Sequence, residues 1–346
     1  MDTPSGMILA RVAMLAPQRF KIKGRRQWFG VILVLMLLGA PAQSLAQEAL
    51  EPEPSIQAPM ASHALALDAF VTGDKLVAVG ERGHILISTD SGASWQQAEV
   101  PTRAALTGVF FYDQDLGWVV GHDGVILRTA DGGETWEIVN WAPEDEAPFF
   151  DVWFSDANNG VAIGAYGSYY ETSDGGATWS SRWISEDDWH LHQIARADNG
   201  KLYIAAEAGS VYRSDDGGAT WITLPSQYEG SYFGVLPLDG DAVLLFGLRG
   251  HLFRSEDAGE TWEELDTGTV AMLTEGIRLE DGTIVIVGLG GTVLVSDDGG
   301  HNFVYHAQAN RRGISSIFDA GAGSLLLVGE FGVRVATLED LTTAAD

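Results

Sequence analysis

Acidic side chains first suggest chemistry in this sequence, because six aspartates recur at nearly constant spacing. Each lies in an octapeptide of the form Ser/Thr-x-Asp-x-Gly-x-Thr/Ser-Trp, although the sixth copy ends in Phe303. At steps of 41, 43, 42, 41 and 41 residues they are Asp90, Asp131, Asp174, Asp216, Asp257 and Asp298. Repeated carboxylates resemble metal ligands or acid catalysts, but one copy per repeat keeps them too far apart to converge. We therefore predict that these aspartates are structural.

Other residues that carry metal or redox chemistry are sparse. The chain has no Cys, which excludes disulfides, thiolate zinc sites and a Cys nucleophile. His190 and His192 are two residues apart, and on a strand they would share one face, as a metal pair or as a solvated pair in a loop. No HExxH pattern and no nucleophile–base arrangement accompanies them. We predict no cofactor, no metal ion and no catalytic residue.

A second motif precedes each octapeptide by about ten residues and indicates the fold that positions it. It is an apolar strand ending in Gly, two variable residues, Gly and another strand, as in Gly164-Ala165-Tyr166-Gly167. Seven copies occur, and apolar alternation predicts four short strands in each unit. In the third unit the predicted strands are Phe149–Phe154, Gly160–Gly164, Ser168–Thr172 and Thr178–Arg182.

Four-stranded units of this length are typical of propeller blades. The sequence therefore predicts an all-β fold, a seven-bladed β-propeller over residues 62–346. A linear solenoid is the alternative, but it would need capping repeats that the sequence does not contain. The octapeptide falls on the turn between the third and fourth strands. There its Asp accepts backbone N–H groups, its Gly permits positive φ, and its Trp packs against the neighbouring blade.

The seventh unit lacks a clear fourth strand. Its octapeptide has decayed around Glu339, and its predicted strands are Gly313–Phe318, Ser324–Gly329 and Val333–Thr337. We predict that the ring closes by strand exchange, with Ser55–Ala58 of the N-terminal segment 47–61 pairing with the third strand of this last blade. Prolines at 52 and 54 limit the pairing, and edge positions tolerate proline best.

The N-terminus predicts export. A basic run from Lys21 to Arg26 precedes an apolar stretch, and Ser44-Leu45-Ala46 supplies a small-residue cleavage site. Residues 1–46 are therefore predicted to be a signal peptide of the secretory or twin-arginine route, with an uncleaved anchor as the alternative. Residues 47–346 carry 14 basic and 47 acidic residues, a net charge of −33. Such a surface repels nucleic acid and anionic lipid, so the expected partner is a protein.

The octapeptides resemble the Asp-box, or bacterial neuraminidase repeat. The pairing of a Gly-x-x-Gly hairpin with an Asp-box in seven units looks most like the photosystem II assembly and stability factor family, over about residues 62–340. That resemblance implies a non-enzymatic propeller that binds a newly made membrane subunit in the thylakoid lumen, and we expect it to be a monomer. In bacteria without photosystems it implies a periplasmic binding or assembly factor for a membrane or envelope complex.

Asp-box sialidases are the alternative class, with carbohydrate-binding propellers. Such enzymes use three arginines to hold a carboxylate, and they usually carry an Arg-Ile-Pro motif that this chain lacks. Arg128, Arg213, Arg254 and Arg334 occupy one repeated place just before the box or its remnant. That periodicity indicates a structural position on the third strand, where each arginine pairs with acids.

The candidate protein-binding residues lie on the face opposite the Asp-boxes, which we call the loop face. Strands alternate in direction, so this face carries the hairpins between second and third strands and the connections between blades. Exposed Trp, Tyr and Arg are favoured as interface anchors. The candidates are Arg82, His122, Tyr166, Trp183, Trp189, His190, Tyr228, Arg249, Arg311, Arg312 and Phe331.

Overall fold

A computed structural model describes residues 51–343 of the chain. Within that range, six four-stranded antiparallel sheets and one three-stranded sheet follow one another along the sequence. The first strand of each sheet is innermost and contacts the first strand of the next sheet. The last of these inner strands contacts the first, so the ring is closed. The predicted seven-bladed β-propeller is confirmed.

The strands of the first four blades have the following bounds. Blade 1 contains β1 (Ala66–Thr72), β2 (Lys75–Gly80), β3 (Ile85–Ser88) and β4 (Gln96–Gln97). Blade 2 contains β5 (Leu106–Phe111), β6 (Gly117–Gly121), β7 (Ile126–Thr129) and β8 (Glu137–Asn140). Blade 3 contains β9 (Phe149–Phe154), β10 (Gly160–Gly164), β11 (Tyr169–Thr172) and β12 (Ser180–Ser181). Blade 4 contains β13 (Leu191–Arg196), β14 (Leu202–Ala206), β15 (Val211–Ser214) and β16 (Ile222–Thr223).

The remaining three blades complete the ring. Blade 5 contains β17 (Tyr232–Pro237), β18 (Val243–Gly247), β19 (Leu252–Ser255) and β20 (Glu263–Leu265). Blade 6 contains β21 (Leu273–Arg278), β22 (Ile284–Gly288), β23 (Thr292–Ser296) and β24 (Val304–Ala307). Blade 7 contains β25 (Ile314–Gly321), β26 (Ser324–Gly329) and β27 (Gly332–Thr337), followed by helix α1 (Leu338–Thr342). Short 3-10 turns cover Ala61–His63, Glu81–Gly83, His122–Gly124, Pro143–Asp145, Ala165–Gly167, Leu248–Gly250 and Leu289–Gly291.

Two-sided burial makes the second strand of each blade almost wholly apolar. Every residue of β6, β10, β14, β18 and β22 is buried, because the neighbouring blades cover both faces of the sheet. The outermost strand is short for the opposite reason. In blade 3 it covers Ser180–Ser181 rather than the predicted Thr178–Arg182, because the Thr178 N–H is bonded inside the box at Asp174.

The Asp-box turns are self-contained hydrogen-bonded units. In blade 2, Asp131 Oδ1 accepts the Thr135 N–H at 2.9 Å and Oδ2 accepts the Thr135 hydroxyl at 2.6 Å. The Thr129 hydroxyl donates to the same carboxylate at 2.8 Å and accepts the N–H of Gly133, whose φ is +90°. A side chain at that φ would be strained, which explains the invariant box Gly. The other five boxes repeat the carboxylate contacts.

The boxes also join each blade to the one before it. The Trp118 indole of blade 2 donates to the carbonyl of Gly175 in the blade 3 box, at 3.2 Å. Lys75 makes the equivalent contact to Gly132 at 2.9 Å, and Arg213 contacts Ala258 at 2.7 Å. The box is therefore both a turn and a joint between blades, as expected for a structural motif.

Asp174 provides a test of this structural role. The Thr178 hydroxyl and N–H hold its carboxylate in the charged form and lower its pKa to about 2. A lowered folded-state pKa stabilises the protein above the ordinary pKa of about 3.9, and this contribution is lost as pH falls toward 2. We expect Asp174→Asn to lower the melting temperature at pH 7 by more than it does at pH 2.5. Asp187→Asn, in an exposed loop, is the control. A pH-independent difference for Asp174→Asn would contradict this role.

The predicted closing strand is wrong. Within the described residues β27 pairs only with β26, and the N-terminal segment lies along blade 1 instead. The Ser55 N–H donates to Val100 O at 2.9 Å, and the Gln97 carboxamide bonds both Ile56 O and Ala58 N. These donors are thereby used on the first blade, and prolines 52 and 54 have no N–H to offer a sheet.

The outer side of blade 7 is covered by α1. Thr337 and Asp340 form a reciprocal capping box at its start, so the decayed repeat becomes a helix rather than a strand. Leu341 is the buried residue of this helix, and Gln308 Nε2 donates to the Leu341 carbonyl at 2.8 Å. The predicted signal peptide, residues 1–46, lies outside the described residues. In residues 51–343 no helix is long and apolar enough to cross a membrane.

Candidate functional site

The loop-face hairpins of blades 1, 2, 3 and 5 project exposed side chains into solvent. The second variable residue of the Gly-x-x-Gly motif has a left-handed φ, at 59° for Arg82, 59° for Asp123, 55° for Tyr166 and 59° for Arg249. Non-glycine residues adopt this region at a cost, and such strain is concentrated at functional positions. The hairpin geometry therefore directs these side chains away from the sheet, into the surface that a partner would meet.

The predicted loop-face residues divide by exposure. The exposed ones are Arg82, His122, Tyr166, Trp183, Arg249, Arg311 and Arg312. The half-buried ones are Trp189, His190, Tyr228 and Phe331. They are distributed over the hairpins of blades 1, 2, 3, 5 and 7 and over the connections between blades 3 and 4, 4 and 5, and 6 and 7. They do not line one common pocket.

One pair of these residues is in contact, and a third packs on a neighbouring glycine of the same hairpin. The Tyr166 N–H donates to His190 Nδ1 at 3.0 Å, and the two rings lie 5.0 Å apart. Trp183 is 66% exposed and lies over Gly167, where an added Cβ would approach its ring to 2.8 Å. Blade 3 therefore presents a local aromatic surface. Position 167 must be glycine there, because the Trp183 indole lies too close for a Cβ.

Arginines are paired differently on strands and on the loop face. On the third strands, Arg128 pairs with Glu137 at 3.0 Å, Arg213 with Glu260 at 3.0 Å and Arg254 with Glu256 at 2.8 Å. These three pairs agree with the structural interpretation, whereas Arg334 has no carboxylate within 4.0 Å among the described residues and instead donates to Gln308 Oε1 at 3.4 Å beside the Phe331 ring. The four arginines lie on different blades and do not converge. Among residues 51–343, no carboxylate lies within 4.0 Å of Arg249, Arg311 or Arg312.

The inner strands enclose a central channel with a cavity of about 320 Å³. Each inner strand has a bulge near its start, and from the loop face inward its side chains form three layers. The mouth layer is Leu67, Thr107, Phe150, His192, Phe233, Thr274 and Ser315. The polar layer is Asp68, Gly108, Asp151, Gln193, Gly234, Glu275 and Ser316. The apolar layer is Phe70, Phe110, Trp153, Ala195, Leu236, Ile277 and Phe318.

Polar-layer side chains connect neighbouring blades. Asp68 accepts the N–H of Val109 in the next inner strand at 2.9 Å, and Asp151 accepts that of Ile194 at 2.9 Å. Gln193 continues the pattern through its carbonyl oxygen, which accepts the Val235 N–H at 2.7 Å. Its Nε2 also reaches across blade 5 to both carboxylate oxygens of Glu275, at 2.8 and 2.9 Å.

The channel raises the pKa values of its acids. Removal from bulk water disfavours the charged form and raises the pKa to about 6 for Asp68, about 7 for Asp151 and about 8 for Glu275. All three side chains remain partly accessible to solvent inside the channel. Burial lowers the pKa of His192 to about 4. It lies on strand β13 between Phe150, 5.6 Å away, and Phe233, 4.6 Å away, and its ring is 6.2 Å from that of His190, so it is a half-buried strand residue and not a solvated loop residue.

The sequence interpretation missed the polar layer. Its polar residues, Asp68, Asp151, Gln193, Glu275 and Ser316, are separated along the chain by one or two repeat lengths. Their equivalent positions could therefore have been found from the register of the inner strands. A single acid among 47 others cannot be recognised as a channel residue until the bulge that turns its side chain inward is known.

One protein family matches most of the described chain. The profile of the family described as photosynthesis system II assembly factor YCF48 matches residues 52–128, 87–150 and 142–316. The chain belongs to this family. The resemblance expected from the paired hairpin and Asp-box is thereby confirmed.

Two curated relatives match short segments. The photosystem II stability/assembly factor HCF136 of Cyanidioschyzon merolae is 46% identical over 54 residues, and the photosystem II assembly protein Ycf48 of Thermosynechococcus vestitus is 40% identical over 43 residues. These segments cover 15% and 12% of this chain, and 12% of each relative. The match therefore spans about an eighth of the curated relatives' length.

Solved structures resemble the whole propeller. A structure described as YCF48 bound to D1 peptide has a TM-score of 0.67 at 18% identity, covering 86% of this chain and 100% of that one. YCF48 from Cyanidioschyzon merolae has a TM-score of 0.65 at 17% identity, covering 80% and 96%. A streptogramin B lyase has a TM-score of 0.68 at 13% identity, covering 80% and 94%. At these identities the likeness concerns the fold.

Proposed function

We propose that this protein is a non-catalytic, exported binding factor that holds a segment of a membrane protein on its loop face while a membrane complex is assembled. It acts as a monomer outside the cytoplasm, in the periplasm or in a thylakoid lumen. Membership of the YCF48 family is the observation that carries this proposal, together with a relative described as bound to a D1 peptide.

The charges of the loop face support the same function. Arg249, Arg311 and Arg312 are exposed, and no described carboxylate pairs with them, although the chain is strongly acidic overall. An arginine without a partner in the free protein loses no intramolecular ion pair when it binds a carboxylate of another chain. A partner segment with acidic side chains or a free carboxylate therefore fits this part of the face.

Substitution of these arginines tests the proposal. We expect the triple variant Arg249→Ala, Arg311→Ala, Arg312→Ala to recover at least about tenfold less of one membrane protein from detergent-solubilised membranes of the source cells, because interface arginines are often hot spots. The charge control removes three cations from the opposite face, through Arg196→Ala, Lys201→Ala and Arg278→Ala, of which the last two also break ion pairs with Asp241 and Asp239. Equal recovery by both triple variants, or no membrane protein with the wild type, would refute the proposal. Melting temperatures check that both variants are folded.

A further inference from the structure

The channel contains three carboxyl groups, and the one basic side chain among its described lining residues is His192, whose pKa burial lowers to about 4. Asp68, Asp151 and Glu275 line the cavity, and its lining includes no Lys or Arg among the described residues. They belong to blades 1, 3 and 6, so they surround the axis from three sides. A group of charges of one sign in a confined space is costly unless protons or a counter-ion neutralise it.

The hydrogen bonds suit the ionised state of these groups. Both oxygens of Asp151 accept backbone N–H groups, from Val152 at 2.7 Å and from Ile194 at 2.9 Å. Both oxygens of Glu275 accept from Gln193. A carboxylate accepts at both oxygens, whereas a protonated carboxyl must use one as a donor. The surroundings therefore suit carboxylates. Among the described lining residues there is no Lys or Arg that would balance their charge.

A separate observation also indicates an unfilled polar site. Ser316 belongs to the same layer and is 2% exposed, and its hydroxyl lies close enough to the Asp68 carboxylate to interact with it, although it makes no hydrogen bond of ordinary geometry to a described group. A buried hydroxyl that is poorly bonded costs free energy, and its two lone pairs remain open to an N–H donor. It lines the cavity beside the carboxyl groups.

The size and the walls of the cavity restrict the cation. No three acidic or histidine side chains of the described residues are grouped closely enough to hold a metal ion. A larger cation with several N–H donors could span them. The cavity of about 320 Å³ holds the end of a long side chain, and its mouth is lined by three rings packed side by side, those of Phe150, His192 and Phe233. Phe70 contacts Phe110 at 5.5 Å and Phe318 at 6.1 Å at the far end, so entry is from the loop face.

We propose that the channel binds the charged end of an arginine or lysine side chain, with its guanidinium or ammonium group among Asp68, Asp151 and Glu275. The source of that side chain rests on the proposed function, since a segment held on the loop face would extend it into the mouth. The pocket itself does not depend on which partner is bound.

Small organic cations test the pocket directly. Binding of Nα-acetyl-arginine methylamide and Nα-acetyl-lysine methylamide to the mature protein at pH 8 is measured by calorimetry, with the uncharged citrulline derivative as the matched ligand. We expect saturable binding of at least one cation, at least about tenfold tighter than citrulline, because only the cation offsets the carboxylates. Asp151→Asn and Glu275→Gln should each weaken it at least about tenfold. Glu144→Gln, an exposed loop acid, should leave it unchanged.

Several results would overturn the inference. One is the absence of saturable binding to the wild type, and another is binding of the citrulline derivative as tight as that of the cations. A third is a loss of affinity in Glu144→Gln as large as that in the channel variants. Full competition by potassium chloride at the same ionic strength would assign the pocket to an inorganic ion. Variants are compared only after circular dichroism confirms their fold, and a second substitution, Asp68→Asn, replaces any that does not fold. Because no protein partner is used, failure here leaves the membrane-protein capture experiment intact.

Discussion

Replacement of Trp136 by alanine is expected to lower the free energy of unfolding by about 3–5 kcal/mol, the usual cost of removing a large buried aromatic. Trp136 is 7% exposed and is the most buried of the box aromatics. Its ring contacts Phe111 edge-on at 6.1 Å and belongs to a core cluster that also includes Val77 and Ile85 of blade 1. The substitution would therefore open a cavity at the junction of two blades.

Urea denaturation followed by circular dichroism measures this effect. Trp183→Ala is the matched control, because the same side chain is 66% exposed there and its removal should change stability by less than about 0.5 kcal/mol. A loss below about 1 kcal/mol for Trp136→Ala would show that the box aromatic does not hold neighbouring blades together. Binding through the loop face should persist in any folded Trp136 variant, since that residue lies on the opposite side of the blade.

Replacement of Glu275 by glutamine is expected to raise stability at pH 8, on the order of 3 kcal/mol, and to have little effect at pH 5. The folded-state pKa of about 8 lies above the ordinary value of 4.5, so the folded protein holds a proton that the unfolded chain releases. Wild-type stability should consequently fall as pH rises from about 4.5 to about 8. Glutamine removes this dependence and keeps an oxygen for the Gly276 and Gln193 donors.

Melting temperatures of wild type and Glu275→Gln between pH 5 and pH 9, without added amines, provide the measurement. The difference between them should grow with pH and level off above about pH 8. Glu144→Gln controls for the change in net charge and should show no such growth. A Glu275→Gln protein that is less stable than wild type at pH 8 would mean that the carboxylate is already neutralised or hydrated in the channel.

The two faces of the propeller differ in how their polar groups are used. On the Asp-box face, carboxylates are bonded within their own turns, and the lysine or arginine side chains beside them join adjacent blades. On the loop face, Arg249, Arg311 and Arg312 have no such intramolecular role among the described residues. Substitutions on the first face should thus act mainly on stability, and those on the second mainly on binding.

Local and periodic features were predictable from the sequence. The repeated Gly-x-x-Gly hairpin and Asp-box predicted seven blades, because the hairpin recurs seven times, each motif encodes one turn of fixed length, and each repeat has room for four short strands. In blade 3 the predicted Phe149–Phe154 and Gly160–Gly164 match β9 and β10. The structural role of the box aspartates follows from the same argument, since their partners lie within four residues of them.

Contacts between distant parts of the chain were decided only by the tertiary structure. The N-terminal segment was predicted to complete blade 7, but its Ser55 N–H donates to Val100 of blade 1. Thr337 with Asp340 starts a helix where the sequence shows only a decayed repeat. The channel is the larger case. Asp68, Asp151 and Glu275 are each one acid among many in the sequence, and they become a group only when ring closure brings the inner strands around one axis. Turn chemistry acts over a few residues and is readable from composition, whereas the position and the pKa of a channel carboxyl depend on side chains that arrive from other blades.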